Sequence, residues 1–456
     1  MLAEAYHEMT AKPEQPAILI VGLGKSGMSV ARYLQARGEA FAVADSRPFP
    51  PGRAELAELC PGCETAFGDF DAEYFARFRQ LIVSPGVAVR EPAIRAAAER
   101  GAEVIGDIEL FARTATAPVV AITGSNGKST VTSLVAAMAV ADDKAYVAGG
   151  NLGTPALDLI TQPEPEGYVL ELSSFQLETT SSLRTVAATV LNLSADHMDR
   201  YDSLDHYAAA KARIFVHAQV QVINRDDPVA AALATGAGRR VSFGLDVPVA
   251  EEWGLLDEGD GTWLARGDER VLREDDLHVR GRHNLANVLA AFALGEAAGF
   301  SREAMCRAAC EFAGLPHRSQ WVANLRGVDW FNDSKGTNVG ATLAALKGMT
   351  GKVVLLAGGL GKDQDFSPLR PALAEKGRAL VLFGRDAGLI EDAVGNVVDT
   401  VRVDTFEAAV KAAAERARPG DAVLLSPACA SFDMFSGYEE RGERFVALVN
   451  ELGGAV

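Results

Sequence analysis

Five cysteines in 456 residues, aromatic side chains at only 7%, and 44 basic against 61 acidic residues set limits before any motif is considered. So few cysteines leave no disulfide framework, and hydrophobic cores must hold the chain. Cys60-Pro61-Gly62-Cys63 has the spacing of a redox or zinc site, and Cys306 and Cys310 lie one helical turn apart. No second C-x-x-C at zinc spacing follows, so reduced surface or core thiols are expected. The net charge of −17 weighs against nucleic acid or an anionic membrane as partner. An acidic chain that handles anions must gather its positive charge locally. No run of roughly 18 apolar residues occurs, so no membrane span is expected. Residues 1–16 are polar and lack the hydrophobic stretch of a signal peptide, from which a cytoplasmic protein is expected. What is present is 48% apolar residues, enough for several cores, and a length that fits about two to four domains.

Three α/β blocks follow one another. From Ile18 to about Asp107, strand-like runs (Ile18–Val21, Phe41–Ala44, Leu81–Val83, Val104–Ile105) alternate with helical stretches such as Met28–Arg37 and Glu91–Arg100. That alternation predicts a small doubly wound parallel sheet. A second block starts at Pro118, with further strands at Ala145–Val147, Tyr168–Leu172, Ala188–Leu193 and Val220–Ile223. Between Val241 and His278, short runs, acidic residues and glycine turns predict antiparallel hairpins. Helices at Asn284–Ala298 and Arg302–Phe312 follow, and Gly314-Leu315-Pro316-His317-Arg318 then marks a domain boundary. In the third block, strands at Asp329–Phe331, Val353–Ala357, Ala379–Phe383, Thr400–Val403 and Ala422–Leu425 alternate with helices, again a parallel-sheet pattern.

The segment Ala121-Ile122-Thr123-Gly124-Ser125-Asn126-Gly127-Lys128-Ser129-Thr130 carries the most chemistry. It follows a β-branched run and precedes an apolar helical stretch, Val131 to Val140. A strand turning into a helix through small residues leaves backbone N–H groups free to cradle phosphate oxygens. Lys128 can reach the terminal phosphates and the Ser129 hydroxyl can ligate Mg²⁺, so an ATP site is expected. The loop departs from the full P-loop pattern, because Ile122 stands where the first glycine belongs. In the first block Gly22-Leu23-Gly24-Lys25-Ser26-Gly27 follows a strand and Asp45 ends the next one, the context of a dinucleotide or other diphosphate turn. Glu171 ends a strand near the phosphate loop, a common place for a Mg²⁺ carboxylate. His197 lies just past another strand of that sheet. Lys211 shares an apolar helix face with Tyr207 and Phe215. Either its ammonium snorkels, or desolvation leaves a neutral amine able to add CO₂ and become an anionic ligand for Mg²⁺.

Taken in order along nearly the whole chain, these motifs carry a resemblance. The loop Thr123 to Thr130, Gly150-Asn151-Leu152-Gly153, Glu171-Leu172-Ser173-Ser174-Phe175-Gln176 and Asp196 to Tyr201 resemble the Mur ligases of bacterial cell-wall synthesis. So do Lys211 within Ala209 to Ile214, Gly281 to Asn284, Leu315 to Arg318, Asn332 to Asn338 and Ser426 to Ser431. The N-terminal glycine turn and the C-terminal motifs are nearest to the members that add D-glutamate. The resemblance implies an α/β chain of three domains. A Rossmann-like UDP-sugar domain would span 1–107, a P-loop ATPase-like domain with a mixed sheet 108–314, and a Rossmann-like amino-acid domain 315–456.

It also implies roles. Gly124, Ser125, Asn126, Gly127, Lys128, Ser129 and Thr130, with Asn287, Arg318 and Asp333, would contact ATP. Ser26, Gly27, Asp45, Ser46, Arg47, Ser84, Gly86, Asn151 and His197 would meet the UDP-sugar substrate, UDP-N-acetylmuramoyl-L-alanine. Lys335, Thr337, Lys362, Ser431 and Tyr438 would meet D-glutamate; Tyr438 stands where Phe is usual, and Gly336 where Ala is common. Ser129 and Glu171 would hold one Mg²⁺, and His197 with a CO₂-derived carbamate on Lys211 a second. Lys128, Glu171, His197 and Lys211 would be the catalytic set. ATP would convert the unreactive carboxylate into an acyl phosphate for attack by the amine of D-glutamate, with domain closure keeping water out. A monomer is expected. Three other readings remain: a sister ligase for another amino acid, a nicotinamide-dependent dehydrogenase built on the first block, and a catalytically silent scaffold.

Overall fold

The computed structural model describes residues 16–454 except His197, Asp199, Asp260, Thr350 and Asp363. Most of the polar N-terminal segment therefore lies outside the described residues. The first sheet has five strands, β1 Ile18–Val21, β2 Phe41–Asp45, β3 Thr65–Phe67, β4 Gln80–Val83 and β5 Glu103–Ile105, in the order β3-β2-β1-β4-β5. All are parallel, as the alternation predicts. Chain direction of the winding reverses between β1 and β4, so the turn from β1 into helix α1 (Lys25–Ala36) opens at the switch point where such sheets bind ligands.

The central sheet has nine strands: β6 Val119–Thr123, β7 Tyr146–Gly150, β8 Gly167–Glu171, β9 Thr185–Val190, β10 Ala218–Asn224, β11 Arg239–Phe243, β12 Trp253–Glu258, β13 Gly261–Arg266 and β14 Glu269–Arg273. Their order is β14-β13-β12-β11-β10-β9-β6-β8-β7. Every residue of β6 and β8 is buried, which is why these strands read as continuous apolar runs. The expected hairpins are β12-β13-β14, joined to the same sheet through the parallel contact of β11 with β12. Helices α2 (Lys128–Ala141), α3 (Leu204–Ala212) and α4 (Arg282–Ala297) complete the parts that build the site. α3 departs from the expected span. Ser203 caps its N-terminus by accepting from His206 N–H, and a separate 3-10 turn, Arg213–Phe215, follows it, so Phe215 is not on its last helical turn.

The third sheet runs β15 Gln320–Leu325, β16 Val328–Asn332, β17 Val353–Gly358, β18 Gly377–Phe383, β19 Asp399–Arg402 and β20 Ala422–Leu425, in the order β15-β16-β20-β17-β18-β19. β16 to β20 are parallel, but β15 is an antiparallel edge strand with a bulge between Trp321 and Ala323. Helices α5 (Val339–Gly348) and α6 (Tyr438–Gly454) belong to this unit. Among the described residues no helix is long and apolar enough to cross a membrane.

Candidate active site

β6 delivers Thr123 into the phosphate loop, and the loop's shape depends on two glycines. Gly124 has φ +154 and Gly127, the N-cap of α2, has φ +82, a backbone state that side chains rarely adopt. A Cβ on Gly127 would also stand 2.5 Å from Asn287 Oδ1. With glycine at the cap, no side chain bonds the first amides of α2, and they stay open to an anion. The loop is braced from β9: Asn192 Oδ1 accepts from Asn126 N–H at 2.8 Å, and Asn192 Nδ2 donates to Asn126 O at 3.0 Å. Ser125 Oγ donates to Ser194 O at 3.0 Å.

Two lysines converge on one carbonyl. Lys128 Nζ donates to Gly124 O at 2.8 Å and Ser125 O at 2.9 Å, while Lys211 Nζ donates to the same Gly124 O at 2.9 Å and to Thr123 Oγ1 at 3.2 Å. Lys211 is only 1% exposed, 4.7 Å above the Tyr207 ring. Burial first, then the Lys128 ammonium, hold its amine well below the usual lysine range. Burial lowers Lys128 as well. A lysine that only snorkelled would carry its nitrogen to solvent; Lys211 does not.

Glu171, at the end of β8, is buried and accepts on both oxygens. Ser129 Oγ donates to Oε2 at 2.6 Å and Asn151 Nδ2 to Oε1 at 2.6 Å. A buried hydroxyl and carboxylate side by side form a hard oxygen pair of the kind Mg²⁺ shares with phosphate oxygens. His197, expected beside this group, lies outside the described residues.

From the third unit, Arg318 Nη2 donates to Ser129 Oγ at 2.7 Å, and Asn338 Nδ2 donates to Asp196 Oδ2 at 3.2 Å. Arg318 is aimed by strained neighbours, since His317 (φ +63) and Ser319 (φ +46) both sit in the left-handed region. A cavity of about 160 Å³ lies between the two units. It brings together Asn126, Gly127, Thr130, Asn287, Arg318 and Asp333 of the expected ATP set, with Lys335 of the expected amino-acid set; Gly124, Ser125, Lys128 and Ser129 are not among its lining residues. Asp333 is pushed up to about 6 by burial, although Ser426 Oγ (2.7 Å) and Ser319 N–H (3.0 Å) donate to it.

A second groove, of about 570 Å³, runs from the first sheet to the central one. Ser26, Asp45, Ser46, Arg47, Ser84, Gly86 and Asn151 all line it. Asp45 does so with its carboxylate already taken: Oδ2 accepts from Leu23 N–H (2.7 Å) and Arg47 Nη2 (2.7 Å), and Oδ1 from Arg47 N–H and Nε (both 2.9 Å). Gly27 is absent from the lining. Its Cα faces Gly22 O so closely that a Cβ would sit 1.9 Å away, so it sets the turn rather than the groove surface. Arg200 closes the back, donating to Pro85 O (3.1 Å) and Val87 O (2.8 Å) from the Phe175 ring it covers.

At the expected amino-acid end, Lys335 Nζ lies 4.0 Å over the Tyr438 ring, and burial pulls its amine down to about 8. Thr337 N–H donates to Lys335 O at 2.7 Å. Ser431 is buried; Lys362 is exposed with φ +51. A β-bridge between Leu360 and Ala430 brings the segments of these last two together. Thr123 and Arg200 lay within motifs noted in the sequence without a role of their own, whereas Asn192 and Asn224, which line the smaller cavity, had no signal there. Thr123, Asn192 and Asn224 lie at or just past the carboxyl ends of parallel strands, where ligands of open α/β sheets collect. The C-x-x-C cysteines are free thiols, half-buried.

Compared with known proteins, residues 16–106 match the Mur ligase MurD-like N-terminal domain, residues 122–295 the Mur ligase middle domain, and residues 317–429 the Mur ligase glutamate ligase domain. A UDP-N-acetylmuramoylalanine–D-glutamate ligase of Nitrosococcus oceani is 53% identical over 450 residues, 97% of this chain and 99% of that protein. Its counterpart in Pseudomonas aeruginosa is 54% identical over 438 residues, 95% and 98% of the two chains. Among solved structures, a pseudomurein peptide ligase type C from Methanothermus fervidus superposes with a TM-score of 0.61, covering 96% of this chain and 100% of that one. At 17% identity that last likeness is one of fold.

Proposed function

Since this chain belongs to the Mur ligase family, we propose that it joins D-glutamate to the alanine carboxylate of UDP-N-acetylmuramoyl-L-alanine, with cleavage of ATP. The observation that carries this reading is the position of Glu171. One of its oxygens accepts from Ser129 at the end of the phosphate loop and the other from Asn151, which lines the sugar groove, so a single carboxylate ties the loop to the groove. A triphosphate in one and a sugar-linked acid in the other would bring phosphoryl group and carboxylate together there.

A carboxylate anion is a poor electrophile, and phosphorylation supplies the leaving group that an attacking amine needs. The residues of the chain do the positioning and the charge screening. Lys128 and the amides at the start of α2 hold the phosphates. Arg318 reaches the same place from the third unit, which would link turnover to approach of the two units. Lys335, Thr337, Lys362, Ser431 and Tyr438 would receive D-glutamate. Ser129 and Glu171 suit one Mg²⁺, and His197 with the carbamate of Lys211 a second; bound there, the ions neutralise charge that builds up as the phosphoryl group moves. A neutral Lys211 amine is the form that adds CO₂, losing a proton, and the resulting anion would relieve the repulsion between Lys211 and Lys128. A monomer in the cytoplasm fits the same reading.

The dehydrogenase alternative needs Asp45 free for a ribose hydroxyl, yet all four of its lone-pair sites are occupied. Phosphate release decides the matter. ATP should be hydrolysed only when UDP-N-acetylmuramoyl-L-alanine and D-glutamate are both supplied, across a panel of D- and L-amino acids. Release with L-lysine or meso-diaminopimelate instead would move the chain to a sister activity.

A further inference from the structure

Arg441 lies in the first turn of α6, three residues after Tyr438, and is 0% exposed. Burying a guanidinium is unfavourable unless its charge is answered, and no carboxylate among the described residues forms an ion pair with it. Three neutral acceptors take its fork instead. Nε donates to Ser334 Oγ at 2.9 Å, Nη2 to Ser334 O at 2.7 Å, and Nη1 to Cys429 O at 3.2 Å. Ser334 Oγ in turn donates to Tyr438 O at 2.8 Å. Desolvation pulls the guanidinium down to about 10, a sign of how little water reaches it.

Each of these bonds ends on a segment that builds the amino-acid end of the cleft. Ser334 precedes Lys335, Cys429 lies two residues before Ser431, and Tyr438 starts the helix that carries Arg441 itself. Asn332 Nδ2 adds a parallel tie to Gly442 O at 3.1 Å. A planar, always-charged fork can hold two such segments at fixed spacing, which the single point of an ammonium cannot. Asp433 and Asp333 offset part of its charge from beyond contact distance, and in this dry setting the same field reaches a carboxylate entering that end of the cleft.

We propose that Arg441 is a positioning residue for the incoming amino acid, keeping the Lys335, Ser431 and Tyr438 segments in register and biasing that end of the cleft toward a dicarboxylate. The proposal rests on the ligase reading above. It is tested by steady-state kinetics of the full chain with Arg441→Met and Arg441→Lys, with thermal unfolding alongside. Arg441→Met should raise the KM for D-glutamate about tenfold while the KM values for ATP and the UDP-sugar substrate stay within about twofold. Arg441→Lys should recover part of the loss. A parallel rise in all three KM values, or a fall in kcat at unchanged D-glutamate KM, would overturn the assignment. Should the Met variant fail to fold, the Lys variant decides, because an unchanged D-glutamate KM in it refutes the need for a fork. If the wild-type chain accepts a different amino acid, the ligase reading changes, and Arg441 is judged on the KM of that amino acid.

Discussion

Lys211 is the residue whose surroundings constrain its chemistry most. It shares the Gly124 carbonyl with Lys128, and two ammonium groups on one oxygen repel each other. Lys211→Ala should lose most activity, and short carboxylates such as formate or acetate should restore part of it by standing in for the carbamate. Full activity in the Ala variant would discard the carbamate. Lys335 yields a prediction with a sign. Its amine titrates near 8 when folded against 10.5 when unfolded. Between those values the unfolded chain holds a proton that the folded chain has released, so stability rises with pH across that window and a constant penalty remains below it. The Tm advantage of Lys335→Met over wild type should accordingly be larger at pH 7.5 than at pH 10; an advantage independent of pH would mean that burial does not depress this amine. Glu171 and Lys211 were legible in the sequence because charged side chains stand out in apolar runs, and Lys128 because it follows the glycines of a strand-to-helix loop. Asn192 and Arg441 were not, since each acts by bonding backbone whose path only the fold reveals.

At the scale of elements, strands buried on both faces announced themselves, and half-buried edge strands did not. β6 and β8 are buried throughout and apolar up to their last residues, Thr123 and Glu171, whereas β3 spans three residues and β15 has its alternation broken by a bulge beside the exposed Trp321. Helix α2 begins at Lys128 rather than Val131, because its polar first turn and glycine cap look like loop. The glycine turn after β1 offers a clean contrast. Gly27→Ala forces a Cβ to 1.9 Å from Gly22 O and should destabilise the first unit by about 3 kcal/mol. Gly24→Ala meets nothing within 4 Å and should cost less than about 1 kcal/mol. Urea midpoints of the first unfolding transition, with UDP binding as a second measure, check both. Equal effects would mean that close packing of α1 on the turn is not what selects glycine at 27.

For the whole molecule, the three-domain α/β class followed from the order of motifs, but the way the units meet had no signature in the sequence. Gly340, in the first turn of α5, approaches Ser194 so closely that a Cβ would come within 2.5 Å of its Oγ, and Arg318 and Asn338 reach across beside it. A chain of charge −17 thereby assembles Lys128, Arg318 and Lys335 around one cleft, which answers how an acidic protein attracts polyanions.

The double engagement of Glu171 has a thermodynamic corollary. A side chain engaged from both sides couples the two occupants, and linkage makes that coupling reciprocal: whatever factor a UDP-sugar adds to the binding of a non-hydrolysable triphosphate, the triphosphate must return to the UDP-sugar. Calorimetric titrations run in both orders should close on the same coupling factor, and Glu171→Gln should bring that factor toward one.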